Sequence, residues 1–109
     1  MLQTVQHIRK LSTGPVAKDH PGNEGLQRRL SVRGEHFEKA NKDFEQGIIK
    51  SGGALLDSPE NGKMIGSLMI VEAESIEKAR SYIESDIYVR GGVWKSWEIY
   101  PYKAALGTK

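Results

Sequence analysis

Ser85-Asp86-Ile87-Tyr88-Val89-Arg90-Gly91-Gly92-Val93-Trp94-Lys95-Ser96-Trp97-Glu98 is the stretch on which the fold turns. A helical pattern ends in an acid followed by an aromatic residue, the chain turns through two glycines, and an aromatic strand begins. A small α+β domain uses such a passage to set one carboxylate at the mouth of a cleft. The strand runs roughly from Val93 to Tyr100 and closes at Pro101, which has no N–H to give a ladder. Trp94 and Trp97 lie an odd number of positions apart, so plain alternation sends them to opposite faces. The size of each favours plain core packing, and the alternative is that one packs the core while the other faces a pocket or partner.

Working back from this stretch, Ser75 is a suitable cap for the preceding helix, because its hydroxyl can accept from the unpaired amides of the first turn. Ile76, Ala79, Tyr82 and Ile83 make that helix's inner stripe, while Glu77, Lys78, Arg80 and Glu84 face water. Before it, Met64 to Ala73 reads as a strand with Ser67, Met69 and Val71 on one face and Leu68 and Ile70 on the other. Apolar residues on both faces call for a second covering layer, and another subunit's sheet would supply it. Asp57 to Lys63 is a polar connection in which Asn61-Gly62 can take left-handed angles, so Ala54-Leu55-Leu56 becomes the first arm of a hairpin.

A long helix comes earlier still. Phe37, Ala40, Phe44 and Ile48 recur at three and four residues, which places a helix over 33–50 with its apolar stripe covered, and Gly52-Gly53 ends it. His36 falls about 80° from the centre of that stripe, on the boundary between buried and wet faces. A histidine there can line a cleft, and Asp86 is the carboxylate available to orient it. His7 and His20 share no ligand spacing with any acid and read as solvent-facing. Asp19 to Gly25 reads as a loop.

With 109 residues, 38% hydrophobic and 28% charged, the chain is one domain of modest core, a size at which dimerisation often completes burial. Residues 1–18 hold Arg9, Lys10 and Lys18 without an acid, which leaves the rest of the chain close to neutral. A neutral body lacks the basic stripe that nucleic acid requires. Zero cysteines exclude disulfides, thiolate zinc sites and cysteine nucleophiles. No apolar run is long enough to span a membrane. One histidine and one acid are too few for a closed zinc site, and the paired glycines lack the spacing of a nucleotide-binding loop, so no metal and no cofactor is expected.

Residues 1–13 form a basic, acid-free leader in which Leu2, Val5 and Ile8 make a weak helical stripe, as in a short mitochondrial presequence. The alternatives are a tail or a first strand, since Val5, His7, Arg9 and Leu11 also alternate. Location is therefore expected to be cytoplasmic or mitochondrial, with the domain proper over 14–105 and a short tail over 106–109.

Helix, strand, strand, helix, strand needs only a leading strand near Val16-Ala17-Lys18 to become βαββαβ, the ferredoxin-like α+β arrangement. In that order the chain resembles the YCII-related domain family from about Val16 to Ala104. The resemblance is carried by Asp19-His20-Pro21-Gly22, Arg28-Arg29-Leu30, Arg33-Gly34-Glu35-His36-Phe37 and Gly53-Ala54-Leu55-Leu56-Asp57. It continues through Ile65 to Ser75, then Asp86-Ile87-Tyr88-Val89, Trp94 and Ile99-Tyr100-Pro101-Tyr102.

That resemblance implies a dimeric α+β barrel, a homodimer whose two sheets face each other beside a cleft. It also implies an active-site pair of His36 and Asp86, and it places Ser67 on a glycine-serine step in the central strand. Some similar proteins act on chlorinated or lactone-type intermediates of aromatic breakdown. Two departures stand out: Ser12-Thr13-Gly14-Pro15 replaces the usual apolar run, so the first strand is expected to be short or irregular, and Ile87 stands where many members have proline.

The function expected is cofactor-independent proton transfer on a small cyclic or unsaturated acid, as isomerisation, elimination or lactone opening. His36 would move the proton and Asp86 fix its tautomer, with Ser67, Tyr88 and Trp94 contacting the small-molecule ligand. The alternative is a non-catalytic binding or dimerisation domain.

Overall fold

The computed structural model describes residues 11–107. The targeting reading of the leader rests mainly on residues 1–10, which lie outside that range. The elements run β1 (Leu11–Asp19), α1 (Gly22–Glu45), β2 (Ile49–Leu56), β3 (Met64–Ala73), α2 (Ile76–Glu84), α3 (Ile87–Arg90) and β4 (Trp94–Tyr102). This is βαββαβ with one added helical turn. The strands form a single antiparallel sheet in the order β2-β3-β1-β4. It is the ferredoxin-like α+β fold.

The first strand is neither short nor irregular in the way its composition suggested. It spans nine residues, begins inside the stretch assigned to the leader, and occupies a central place between β3 and β4. Pro15 is tolerated because the ladder to β3 passes from Thr13 opposite Val71 to Val16 opposite Leu68 without pairing Gly14 or Pro15, and it resumes in the same register. Thr13, Pro15, Ala17 and Asp19 are buried toward the helices.

Helix α1 starts at Gly22, inside the expected loop, and ends at Glu45 rather than near residue 50. The terminator is Gly47, whose φ of +81° is a left-handed conformation costly to other residues. Ile49 then begins β2, so Gly52 and Gly53 lie within an edge strand instead of ending a helix. Phe37 and Phe44, expected under cover, are each 58% exposed. The side of α1 that is buried carries Gly25 and Arg29.

The hairpin, β3 and α2 follow the pattern of their sequence. Asn61 takes a φ of +54°, and Ser75 Oγ accepts from the Lys78 amide at 3.1 Å. Strand β4 extends through Pro101, which an edge strand accommodates. A register shift opposite Lys18/Asp19 inserts one extra residue in β4, since Lys18 pairs with Ser96 but Asp19 with Trp94. That bulge inverts the alternation. Trp94 and Trp97 consequently lie together, ring centroids 6.3 Å apart, and both pack with the core instead of on opposite faces.

Val71, Val93, Ala17, Ile83 and Tyr88 centre that core between the sheet and its helices. The other sheet face, which carries Leu68 and Tyr100, has no layer over it among the described residues.

Candidate functional site

Asp86 is placed by the turn between α2 and α3. Helix α2 stops at Glu84, and Asp86 caps α3, its Oδ1 accepting from the Tyr88 amide at 2.8 Å. The same oxygen lies 2.8 Å from His36 Nδ1. A carboxylate only accepts, so Nδ1 donates in this contact, and in the neutral imidazole Nε2 keeps the lone pair. Gly92, at a φ of +71°, lets the chain turn directly from α3 into β4, and its carbonyl accepts from Arg28 at 3.1 Å.

Tyr88 braces the imidazole. The two rings stack with centroids 3.7 Å apart and planes 4° from parallel, and the tyrosine edge meets Trp94 at 5.8 Å. Burial pushes the Tyr88 hydroxyl above its usual range, against the lowering pull of the Arg29 and Arg33 charges. It is therefore a neutral hydrogen-bonding group around neutral pH.

Beneath this lies a second pair that the sequence reading left without a role. Arg29 Nη1 donates to both Asp19 carboxylate oxygens at 3.0 Å, and its Nη2 donates to Ser67 Oγ at 2.9 Å. The guanidinium carbon sits 4.8 Å from the Tyr88 ring centre. Burial raises the Asp19 carboxyl, while the charge and hydrogen bonds of Arg29 hold it down. Helical spacing was the available signal: Arg29, Arg33 and His36 fall at i, i+4 and i+7, one face of α1.

A cavity of about 420 Å³ opens between α1 and the β2–β3 half of the sheet, lined among others by Arg29, Arg33, His36, Phe37, Ser67 and Tyr88. His36 also lines a smaller recess of about 140 Å³ on the side of Asp86, Tyr82 and Asp43. In that recess Tyr82 donates to Asp43, and Lys39 donates to the same carboxylate at 2.6 Å. Burial followed by the Asp43 hydrogen bond pushes the Tyr82 hydroxyl far up. Of the expected contact residues, Ser67 and Tyr88 reach the main cavity. Trp94 does not: it is buried behind Ser67, donating to its Oγ at 3.3 Å. His20, expected in solvent, is half-buried. Among the described residues no group of three or more His, Cys, Asp or Glu converges to hold a metal ion, and no helix is long and apolar enough to cross a membrane.

The profile of the YCII-related domain matches residues 15–103. The proteins called YciI of Escherichia coli O6:H1 and Shigella flexneri are each 32% identical over 84 residues, covering 73% of this chain and 86% of theirs. Among solved structures, the chain is similar to 5-chloro-2-hydroxyhydroquinone dehydrochlorinase (TftG) of Burkholderia phenoliruptrix AC1100 in complex with 2,5-dihydroxybenzoquinone. The TM-score is 0.75 at 26% identity, over 85% of this chain and 94% of that one. A dimeric ferredoxin-like protein from an uncultured marine organism shares the fold alone, with a TM-score of 0.53 at 8% identity, over 90% and 97% of the two chains.

Proposed function

Because the chain belongs to the YCII-related domain family, we propose that it is a small, cofactor-independent enzyme that moves a proton on a small cyclic or unsaturated acid. The observation that carries this reading is the 2.8 Å contact of His36 Nδ1 with Asp86 at the wall of a cavity large enough for a single-ring compound. Nε2 takes a proton from the ligand, and Asp86 stabilises the imidazolium that results. The electron pair released at the ligand then expels a leaving group in an elimination. In an isomerisation it collects a proton at another carbon, delivered back from Nε2. The likeness to a dehydrochlorinase favours elimination.

The test is a panel of chlorinated hydroquinones, 2,5-dihydroxybenzoquinone and unsaturated lactones, read by turnover and by thermal shift on wild type and His36→Ala. Turnover should fall by roughly 10²- to 10⁴-fold in the variant. Binding of a panel member with no turnover in wild type would instead support a binding domain.

The same reading includes a homodimer. Leu68, paired with Val16 across the ladder, and Tyr100 stand 45% and 50% exposed on the open sheet face. A second copy of that face would cover them. Light scattering should give twice the chain mass, and Leu68→Asp should give monomers. A cooperatively folded wild-type monomer across micromolar concentrations would overturn the barrel.

A further inference from the structure

We propose that Arg33 is the specificity-determining residue of the main cavity, binding a carboxylate on a ligand whose remaining body is a single apolar ring. The inference rests on reading that cavity as the substrate site.

Among the described residues three cations line the cavity, Arg29, Arg33 and Lys50, and no aspartate or glutamate does. Two of the three are already matched, Arg29 by Asp19 at 3.0 Å and Lys50 by Glu72 at 3.7 Å. Arg33 is not. Among the described residues it meets no carboxylate, although neighbouring Arg28 pairs with Glu24 and Arg90 with Glu35. Its guanidinium carbon lies 5.9 Å from the centre of the Phe37 ring, over an aromatic face. One unmatched charge beside Phe37, Phe44 and Met69 attracts one anionic group carried by an apolar body.

Two further observations point the same way. Arg29 Nε is buried without a hydrogen-bond partner among the described residues, so a residue that lines the cavity beside Arg33 keeps an unused donor. Arg33 lines the same cavity as the stacked His36 and Tyr88 rings, and its charge opposes the effect of burial on the Tyr88 hydroxyl. Arg33 and His36 are three residues apart, neighbours on the helix surface. A carboxylate held by the planar fork of Arg33 would therefore present the adjoining ring to His36 Nε2. A single excess charge suits a monoanion rather than a polyphosphate.

Benzoate and its neutral isostere benzamide are the probes, titrated calorimetrically into the full chain. Wild type should bind benzoate about tenfold more tightly than benzamide. Arg33→Gln should abolish that preference, and Arg33→Lys should keep part of it. Arg33 is exposed, so the unfolding curves of both variants should overlay wild type. His36→Ala should retain the preference, which separates this proposal from the proton-transfer reading: loss of catalysis there leaves anion recognition standing. Equal affinity of wild type for the two probes, absence of binding by either, or an undiminished preference in Arg33→Gln would each overturn it.

Discussion

Among the described residues two contacts are of one chemical kind, a carboxylate on a connecting turn or strand end reaching a nitrogen group on α1, and they differ in depth. Asp19 and Arg29 have side chains only 3% and 4% exposed, and Arg29 spends its second terminal nitrogen on Ser67. Asp86 and His36 are 15% and 14% exposed and leave one ring nitrogen without a partner among the described residues, beside a cavity. Burial converts the first pair into a clasp between β1 and α1. Partial exposure leaves the second with an unused valence, which is what a reacting group requires.

Arg29→Met is the sharpest way to break this contrast. It strands the Asp19 carboxylate in the interior, and at pH 7 it should cost about 3 to 5 kcal/mol in urea unfolding. The loss should narrow on acidification. Burial already raises Asp19 from 3.8, so its protonated form favours the fold, a contribution present below that value and lost as the pH rises through the raised one. Without Arg29 only the weaker pull of His20 opposes burial, the carboxyl rises further, and the deficit against wild type is greatest near neutrality. Asp86→Ala should cost less, about 1 kcal/mol, since it removes the cap of α3 while the imidazole keeps partial access to water. The smallest effect belongs to His36→Ala. Unfolding should shift by less than about 1 kcal/mol, because a half-buried ring at a cavity wall fills little core volume. A loss comparable to that of Arg29→Met would show that the outer pair is also a clasp.

Local signals in the sequence served well where structure was local. The alternation of Met64 to Ala73 gave β3 its bounds, and Ser75 marked the start of α2. The ends of α1 were harder to read because Phe37, Phe44 and Ile48 imitate a buried stripe, whereas the first two ring the cavity and the helix has stopped before the third. Gly52-Gly53 looks like a stop signal, yet an edge strand accepts both. The bulge opposite Lys18/Asp19 left no trace in the alternation of β4, since its cause lies in pairing with a distant strand.

At the site, His36 and Asp86 were identifiable from a helix boundary, a turn and a family likeness, and the structure brings them into contact. Asp19 and Arg29 stood within recognised segments, but nothing nearby said which of Arg28 and Arg29 turned inward. That choice is made by β1, whose last residue is Asp19, and only the folded chain displays it.

The bulge in β4 has an optical consequence. It brings both tryptophans of the chain to one place, with Trp94 tethered to the serine that Arg29 also holds. At 6.3 Å the two indoles exchange excitation, so all tryptophan emission comes from a coupled pair whose polar end contacts the wall of the cavity. A ligand that draws on Ser67 changes the hydrogen bond of Trp94 and with it the colour and yield of that light. The domain carries a built-in, label-free reporter of occupancy.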